Sequence, residues 1–303
     1  MRLGVTGATG LIGSALCSAF DQGQHQVVIL TRNPEKARPQ FPSAQCIGWD
    51  AASALTPQNA LEGLDAVVHL AGEPIAAGRW NARRKEAIRE SRVAGTRNLV
   101  NLLCQLKDPP EVLVSGSAIG YYGPRKDEKL EEDEPPAEDF LGQVCKQWED
   151  EAERAVESGI RVVHLRTGLV LSTQGGALPQ MLLPFKMFVG GPLDSGRQWM
   201  SWIHIRDQIG AIQHVLSHRE VKGPVNLTAP GPVTNEEFSK TLASVLKRPA
   251  LFRVPGFVLR LLLGEMAQAL LLSGQRVIPR KLQKSGYEFE YPELRGALEN
   301  LLG

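Results

Sequence analysis

Along the first half of the chain, apolar residues follow two alternating spacings. Short continuous apolar runs stand at Leu3–Thr6, Gln26–Leu30, Ala44–Ile47, Ala66–Leu70, Val112–Ser115 and Arg161–Leu165. Runs of this length are the pattern of strands covered by helices on both faces. Between them, apolar positions recur every three or four residues. That spacing predicts helices over Leu11–Asp21, Asn81–Gln105 and Leu141–Glu157, with a short turn near Gln58–Glu62. Strands alternating with helices imply right-handed crossovers, and therefore an α/β fold built on a doubly wound parallel sheet.

The pattern changes after about Leu171. Gly175-Gly176 and Gly190-Gly191-Pro192 bracket a helical stretch, Leu178–Phe188. A loop at Gly196–Trp202, a helix at Arg206–Ser217 and a short strand at Pro224–Leu227 follow. Thr234 and Glu237 have the spacing of a capping box, opening a helix that runs to Leu246. The last 55 or so residues read as mostly helical. The expected division is a dinucleotide-binding unit, 1–171 plus about 203–230, and a smaller, mostly helical substrate lobe, 172–202 and 231–303. No internal repeat is visible.

Composition narrows the function classes. The 34 Lys and Arg against 33 Asp and Glu leave +1, without the basic surplus that a general nucleic-acid binder needs. The most apolar stretch, Phe257 to Leu272, is interrupted by Arg260, Glu265 and Gln268, so no membrane span is expected. The start, MRLGVTGATG, runs straight into a strand and a turn, which predicts no signal peptide. Cys17, Cys46, Cys104 and Cys145 form no CxxC pair, so no zinc knuckle or dithiol motif is expected. Reduced cysteines in apolar elements point to the cytoplasm. Charge is nonetheless patterned. Residues 79–97 carry seven bases and two acids, and residues 124–140 eight acids and three bases, both readable as solvated surface.

The most informative chemistry is Thr6-Gly7-Ala8-Thr9-Gly10-Leu11-Ile12-Gly13, between the first strand and the first helix. In G-x-x-G-x-x-G, one glycine permits the tight turn and one lets backbone approach a pyrophosphate. The last lets the helix pack on the sheet, while the helix N-terminus offers amide donors. Placement inside a βαβ unit makes this a dinucleotide-binding signal.

With that loop, the chain resembles the short-chain dehydrogenase/reductase superfamily in its extended, epimerase-like branch. The resemblance also rests on His69-Leu70-Ala71-Gly72, Gly95-Thr96 and Ser117-Ala118-Ile119-Gly120-Tyr121. Leu70–Ile75, Gly116–Gly123, Gly190–Pro192, Trp202–Asp207 and Gly274–Pro279 are similar to an atypical "epimerase family protein" subgroup with its own C-terminal domain. The resemblance spans essentially the whole chain. It implies a Rossmann sheet, nicotinamide cofactor binding and a cleft between two lobes. Leu70, Ala71 and Gly72 would line the cofactor, and Val170 would set backbone against the nicotinamide.

At the end of the second strand an NAD reader usually carries Asp or Glu. Here Thr31-Arg32-Asn33-Pro34 offers a hydroxyl and a guanidinium. A guanidinium suits a 2′-phosphate, so NADP(H) is the expected cofactor. The alternative is an Arg32 that only points to solvent. Arg92 shares a helical stripe with Ile88, Gly95, Leu99, Leu102 and Leu103, which puts its charge on the face packing toward the sheet. It needs an anionic partner there, either a cofactor phosphate or a buried carboxylate.

The superfamily's chemistry uses a Tyr-x-x-x-Lys pair on one helix beside a Ser. Tyr122–Lys126 fits the spacing, but Gly123-Pro124 breaks any helix there. In the expected helix, Leu141 stands in the Tyr position and Cys145 in the Lys position. Lys146 is about 100° out of phase. Ser117 and Tyr121 remain as candidate catalytic residues, with Tyr122 as the alternative phenol. Cys145 is either a reactive thiol or an inert buried one. His214 and His218 have metal-ligand spacing without a third ligand, so no metal is expected. Arg197, Trp202 and His204 form the candidate substrate contacts, with a hydrophobic hinge anchor as the other reading of that loop.

Two functions follow. One is an NADP(H)-dependent reductase- or epimerase-like enzyme, transferring hydride to or from a small polar molecule, a nucleotide sugar among the options. The other is a non-catalytic NADPH-binding redox sensor, favoured by the missing Tyr–Lys pair. No nucleic-acid or membrane partner is expected, and the oligomeric state is open, a homo-oligomer included.

Overall fold

The computed structural model describes residues 1–23, 25–51 and 60–303. The first unit runs β1 (Arg2–Thr6), α1 (Leu11–Gln22), β2 (Gln26–Thr31), α2 (Pro34–Ala37), β3 (Gln45–Gly48), β4 (Ala66–His69), α3 (Ala82–Leu103) and β5 (Val112–Ala118). It continues through β6 (Lys129–Leu130), α4 (Phe140–Glu153), β7 (Arg161–Thr167) and β8 (Leu169–Leu171). Then come α5 (Leu178–Lys186), β9 (Trp199–Met200), β10 (Trp202–His204), α6 (Ile205–Ser217), β11 (Gly223–Leu227), β12 (Val233–Thr234) and α7 (Asn235–Leu246). The chain closes with α8 (Gly256–Leu263), α9 (Glu265–Leu270), β13 (Arg276–Val277), α10 (Arg280–Lys284) and α11 (Leu294–Leu302). The turn expected near Gln58–Glu62 begins outside the described residues.

Seven strands form a parallel sheet in the order β11-β7-β5-β4-β1-β2-β3. The continuous apolar runs divide residue by residue between its faces, as the two-residue period of a strand requires. Val27, Ile29, Val112 and Val114 join the core under α1 and α6. Val28, Leu30, Leu113 and Val162 join the core under α3. The order reverses beside β1, with β4 on one side and β2 on the other. In such sheets this crevice at the carboxyl ends of the strands is where ligands bind.

A third core gathers Leu171, Leu178, Phe185, Trp202, Phe238, Leu242 and Leu298 from β8, α5, β10, α7 and α11. The capping box forms: Thr234 Oγ1 accepts from Glu237 N, and Glu237 Oε2 accepts from Thr234 N. The final region is helical, as expected, but in separate pieces. Its four helices are short, because Gly264 turns the chain at φ +63° and Pro255, Pro279 and Pro292 interrupt the rest. Instead of one bundle, this region threads back to the first unit. β13 pairs with β6, and Lys281 N donates to Glu132 Oε1. No helix among the described residues is long and apolar enough to cross a membrane.

Candidate functional site

Three glycines at the end of β1 do different work. Gly7 has φ +69°, and a Cβ there would lie 2.6–2.8 Å from the backbone of Leu70 and Ala71. Only glycine lets β1 pass that close to the end of β4. A Cβ on Gly13 would lie 2.3 Å from the Gly7 carbonyl, so this glycine lets α1 sit under the loop. A Cβ on Gly10 meets only the Gly7 carbonyl, at 3.3 Å. The space beside Gly10 is therefore open. No side chain caps α1. Its first amides face an opening that suits an anion, and the residues present fit a dinucleotide pyrophosphate.

The loop after β4 is held by a buried relay. Thr6 Oγ1 accepts from Leu70 N and Ala71 N, at 3.1 and 3.2 Å. Its own proton then goes to Nδ1 of His69, 2.7 Å away, and Nε2 of His69 donates to Thr96 Oγ1 at 3.0 Å. Burial alone pushes the His69 imidazole down to about 4, so the ring is neutral at pH 7. Gly72 leaves room for the guanidinium of Arg92, which would lie 3.2–3.4 Å from a Cβ there. Nη1 of Arg92 donates to the carbonyls of Glu73 and Ile88, both at 3.1 Å. Among the described residues Arg92 makes no ion pair, and Glu73 is paired with Arg84 instead. The buried-carboxylate reading of Arg92 is thus not met.

A cleft of about 320 Å³ opens over the glycine loop. It brings together Gly7, Gly10, Leu11, Ile12, Gly13, Leu70, Ser117 and Val170 of the expected site. Thr9 is exposed at the mouth of the loop, and Ala71 and Gly72 continue from Leu70. Thr31 and Arg32 sit apart at the end of β2. Arg32 is exposed, and its guanidinium makes no hydrogen bond or ion pair among the described residues. The cleft also takes in Trp148, Thr167, Gly168 and Leu169, which the sequence reading passed over. Gly168 has a signal in retrospect. A Cβ there would lie 2.4 Å from Ser201 O, because β8 and β10 pair immediately beyond it.

Behind Ser117 lies a buried polar chain. Ser117 Oγ donates to Glu149 Oε1 at 2.6 Å. Arg166 grips the same carboxylate with Nε on Oε1 and Nη2 on Oε2, at 2.9 and 2.8 Å. Arg166 Nη1 donates to Tyr122 Oη and to Glu132 O, both at 2.9 Å, and Tyr122 donates to Asn226 Oδ1 at 2.6 Å. Arg166 follows Leu165 at the end of a strand expected to be covered on both faces, and a charge in that place was the available hint of a buried partner. Tyr121, the other candidate catalytic group, lays its ring on Arg166, 3.5 Å from the guanidinium carbon. Burial pushes its phenol up, so it is poorly suited as a base at neutral pH.

The three expected substrate contacts do not converge. Trp202 has no exposed surface; its ring fills the third core, and Nε1 donates to Gly231 O at 3.0 Å. This corrects the expectation of an aromatic face toward the cleft: β10 docks on β8 with the ring turned into that core, which is the hinge-anchor alternative. His204 is buried, accepts from Arg206 N at Nδ1 and packs 4.0 Å from the Tyr291 ring, with burial lowering its pKa. Arg197 is exposed on the loop before β9.

The profile described as "NAD dependent epimerase/dehydratase family" matches residues 3–228. The chain belongs to this family. A second profile, "Domain of unknown function (DUF1731)", matches residues 254–301. Among curated relatives, "Epimerase family protein SDR39U1 homolog, chloroplastic" of Arabidopsis thaliana is 40% identical over all of this chain and 87% of its own length. "Epimerase family protein YfhF" of Bacillus subtilis (strain 168) is 37% identical over all of this chain and 98% of its own. The crystal structure of human epimerase family protein SDR39U1 (isoform 2) with NADPH superposes with a TM-score of 0.89. It is 36% identical, with 99% of each chain covered.

As a member of the epimerase/dehydratase family, the chain departs from the expected proton-transfer pair where its helix phase indicated. Cys145 is buried, and burial pushes its thiol up to about 12, which makes it inert. Lys146 points outward to Asp150 at 2.5 Å. The inner face of α4 instead offers Trp148 and Glu149 to the sheet. In this family member, Ser117 is therefore partnered by a carboxylate and not by a tyrosine.

Proposed function

We propose that this protein binds NADP(H) and acts by hydride transfer on a small polar substrate, a nucleotide sugar being one such molecule. The observation that carries this reading is the glycine cradle at α1, open only beside Gly10, continuous with a cleft that contains Ser117. Gly7 to Gly13 would hold the pyrophosphate, and Thr31 and Arg32 the phosphorylated ribose. Leu70, Ala71, Gly72 and Arg92 would flank the far half, with Val170 beside the nicotinamide. When bound, the nicotinamide supplies a hydride acceptor or donor. The chain itself binds, orients and shields. The NADPH-bound human relative supports the cofactor choice. Competitive titration of the purified protein with NADPH and NADH tests it; absence of dinucleotide binding would overturn it.

A second reading, a non-catalytic NADPH-binding redox sensor, is favoured by one observation. The two helix positions that should carry Tyr and Lys hold Leu141 and an inert Cys145. Deuteride transfer from labelled NADPH to the carbonyl of a polyhydroxy ketone or a keto-sugar nucleotide in a panel, giving the deuterated alcohol and NADP+, would decide for the enzyme. With either reading we propose a cytoplasmic protein whose partner is a small molecule and not a nucleic acid or a membrane, a homo-oligomer being among the options.

A further inference from the structure

We propose that Ser117 meets ligands only as a hydrogen-bond acceptor, so that this point of the cleft takes a donor, a hydroxyl or an amide N–H. The inference deepens the cofactor-and-substrate reading above and rests on it. A serine hydroxyl has one proton and two lone pairs. In this protein the proton is committed. Ser117 Oγ stands 2.6 Å from Glu149 Oε1, a length typical of a hydroxyl bonded to a carboxylate. Both oxygens of Glu149 already accept from Arg166, so no proton comes back from that side.

The rest of the chain keeps this direction. Arg166 has no acceptor capacity, and its Nη1 is spent on Tyr122 Oη and Glu132 O. Tyr122 sends its proton on to Asn226 Oδ1. Asn226 in turn donates from Nδ2 to Ile278 O at 3.0 Å. Every group from Ser117 to the C-terminal segment has a defined donor and acceptor role. Turning the Ser117 proton toward the cleft would set its lone pairs against an oxygen of Glu149. Only 5% of Ser117 is exposed, and it borders the cleft. What it shows a ligand is lone pairs. A carbonyl oxygen placed there is repelled, and an O–H or N–H is held.

Two donors have this chemistry, the carboxamide N–H of the nicotinamide and a hydroxyl of the substrate. The test uses the full chain and Ser117→Ala. In one arm, NADPH and its 3-acetylpyridine analogue, which keeps the carbonyl but lacks the N–H, are titrated by fluorescence. In the other, cyclohexanol and cyclohexanone are titrated by NMR against NADPH-loaded protein. The donor-bearing probe should bind wild type about 5-fold more tightly in at least one arm, and Ser117→Ala should abolish the preference. A preference in the first arm identifies the carboxamide, and in the second the substrate hydroxyl. Equal binding of both probes in both arms, or a preference that survives Ser117→Ala, would overturn the proposal while leaving the cofactor reading intact. Failure of both dinucleotides to bind wild type would instead remove the cofactor reading, and this proposal with it.

Discussion

The hydroxyl of Thr6 donates to Nδ1 of His69 across 2.7 Å, and neither residue has any exposed surface. This bond joins the end of β1 to the end of β4, two neighbouring strands at the point where the sheet order reverses. It requires a neutral imidazole, because a proton on Nδ1 would face the Thr6 hydroxyl proton.

His69 therefore links stability to pH. Its folded pKa, about 4, lies below its unfolded value near 6.5. Between those values the unfolded chain binds the proton and the folded chain does not, so stability rises with pH there. The contribution is complete above about pH 6.5 and is lost on the way down to about pH 4, on the order of 3 kcal/mol in all. Urea unfolding of wild type and His69→Asn at pH 7 and pH 4.5 checks this. The variant should lose less stability than wild type over that interval; identical losses would count against the assignment.

Gly10→Ala and Gly13→Ala should separate binding from folding. At Gly10 the added methyl meets one carbonyl at 3.3 Å and enters the open space beside the loop. Thermal stability should stay within a few degrees while NADPH affinity falls at least about 10-fold. At Gly13 the methyl would sit 2.3 Å from the Gly7 carbonyl. The ~1 kcal/mol gained from replacing a helical glycine cannot offset that overlap, so this variant should also melt earlier. Calorimetry beside fluorescence titration measures both.

Arg32→Ala should discriminate between cofactors. Arg32 is free of partners among the described residues and stands where an acidic residue would otherwise read the ribose. A charge-assisted contact to the 2′-phosphate is worth ~1.5–3 kcal/mol, so NADPH should bind about 10- to 150-fold more weakly. NADH should bind as before. Equal losses for the two would exclude the 2′-phosphate role.

Trp202→Ala should act on the fold. Its ring is fully buried among Leu171, Phe238 and Leu298, and removing a buried Trp typically costs about 3–5 kcal/mol. Denaturant midpoints should fall accordingly, and Trp202→Phe should recover much of the loss. A variant as stable as wild type would return Trp202 to the list of ligand contacts.

The sequence by itself determined what repeats locally. Apolar runs of strand length marked β1, β2, β4, β5 and β7, and three- to four-residue spacing marked α1, α3 and α4. Glycines at 7, 10 and 13 marked the anion loop, and the phase of Lys146 marked a side chain turned away from the sheet. These readings succeed because backbone periodicity and steric freedom depend on near neighbours. The tertiary structure decided which buried groups found each other. Glu149 and Arg166 are 17 residues apart and Ser117 and Glu149 are 32 apart, and no local spacing reports such pairs. They meet because α4 crosses the sheet over β5 and β7, where a buried guanidinium must find a carboxylate. Trp202 shows the same limit from the other side. Its sequence neighbours Arg197 and His204 suggested a ligand pocket, but the pairing of β10 with β8 turned its ring into the third core. Burial of a large apolar ring outweighs any preference visible in the loop that carries it.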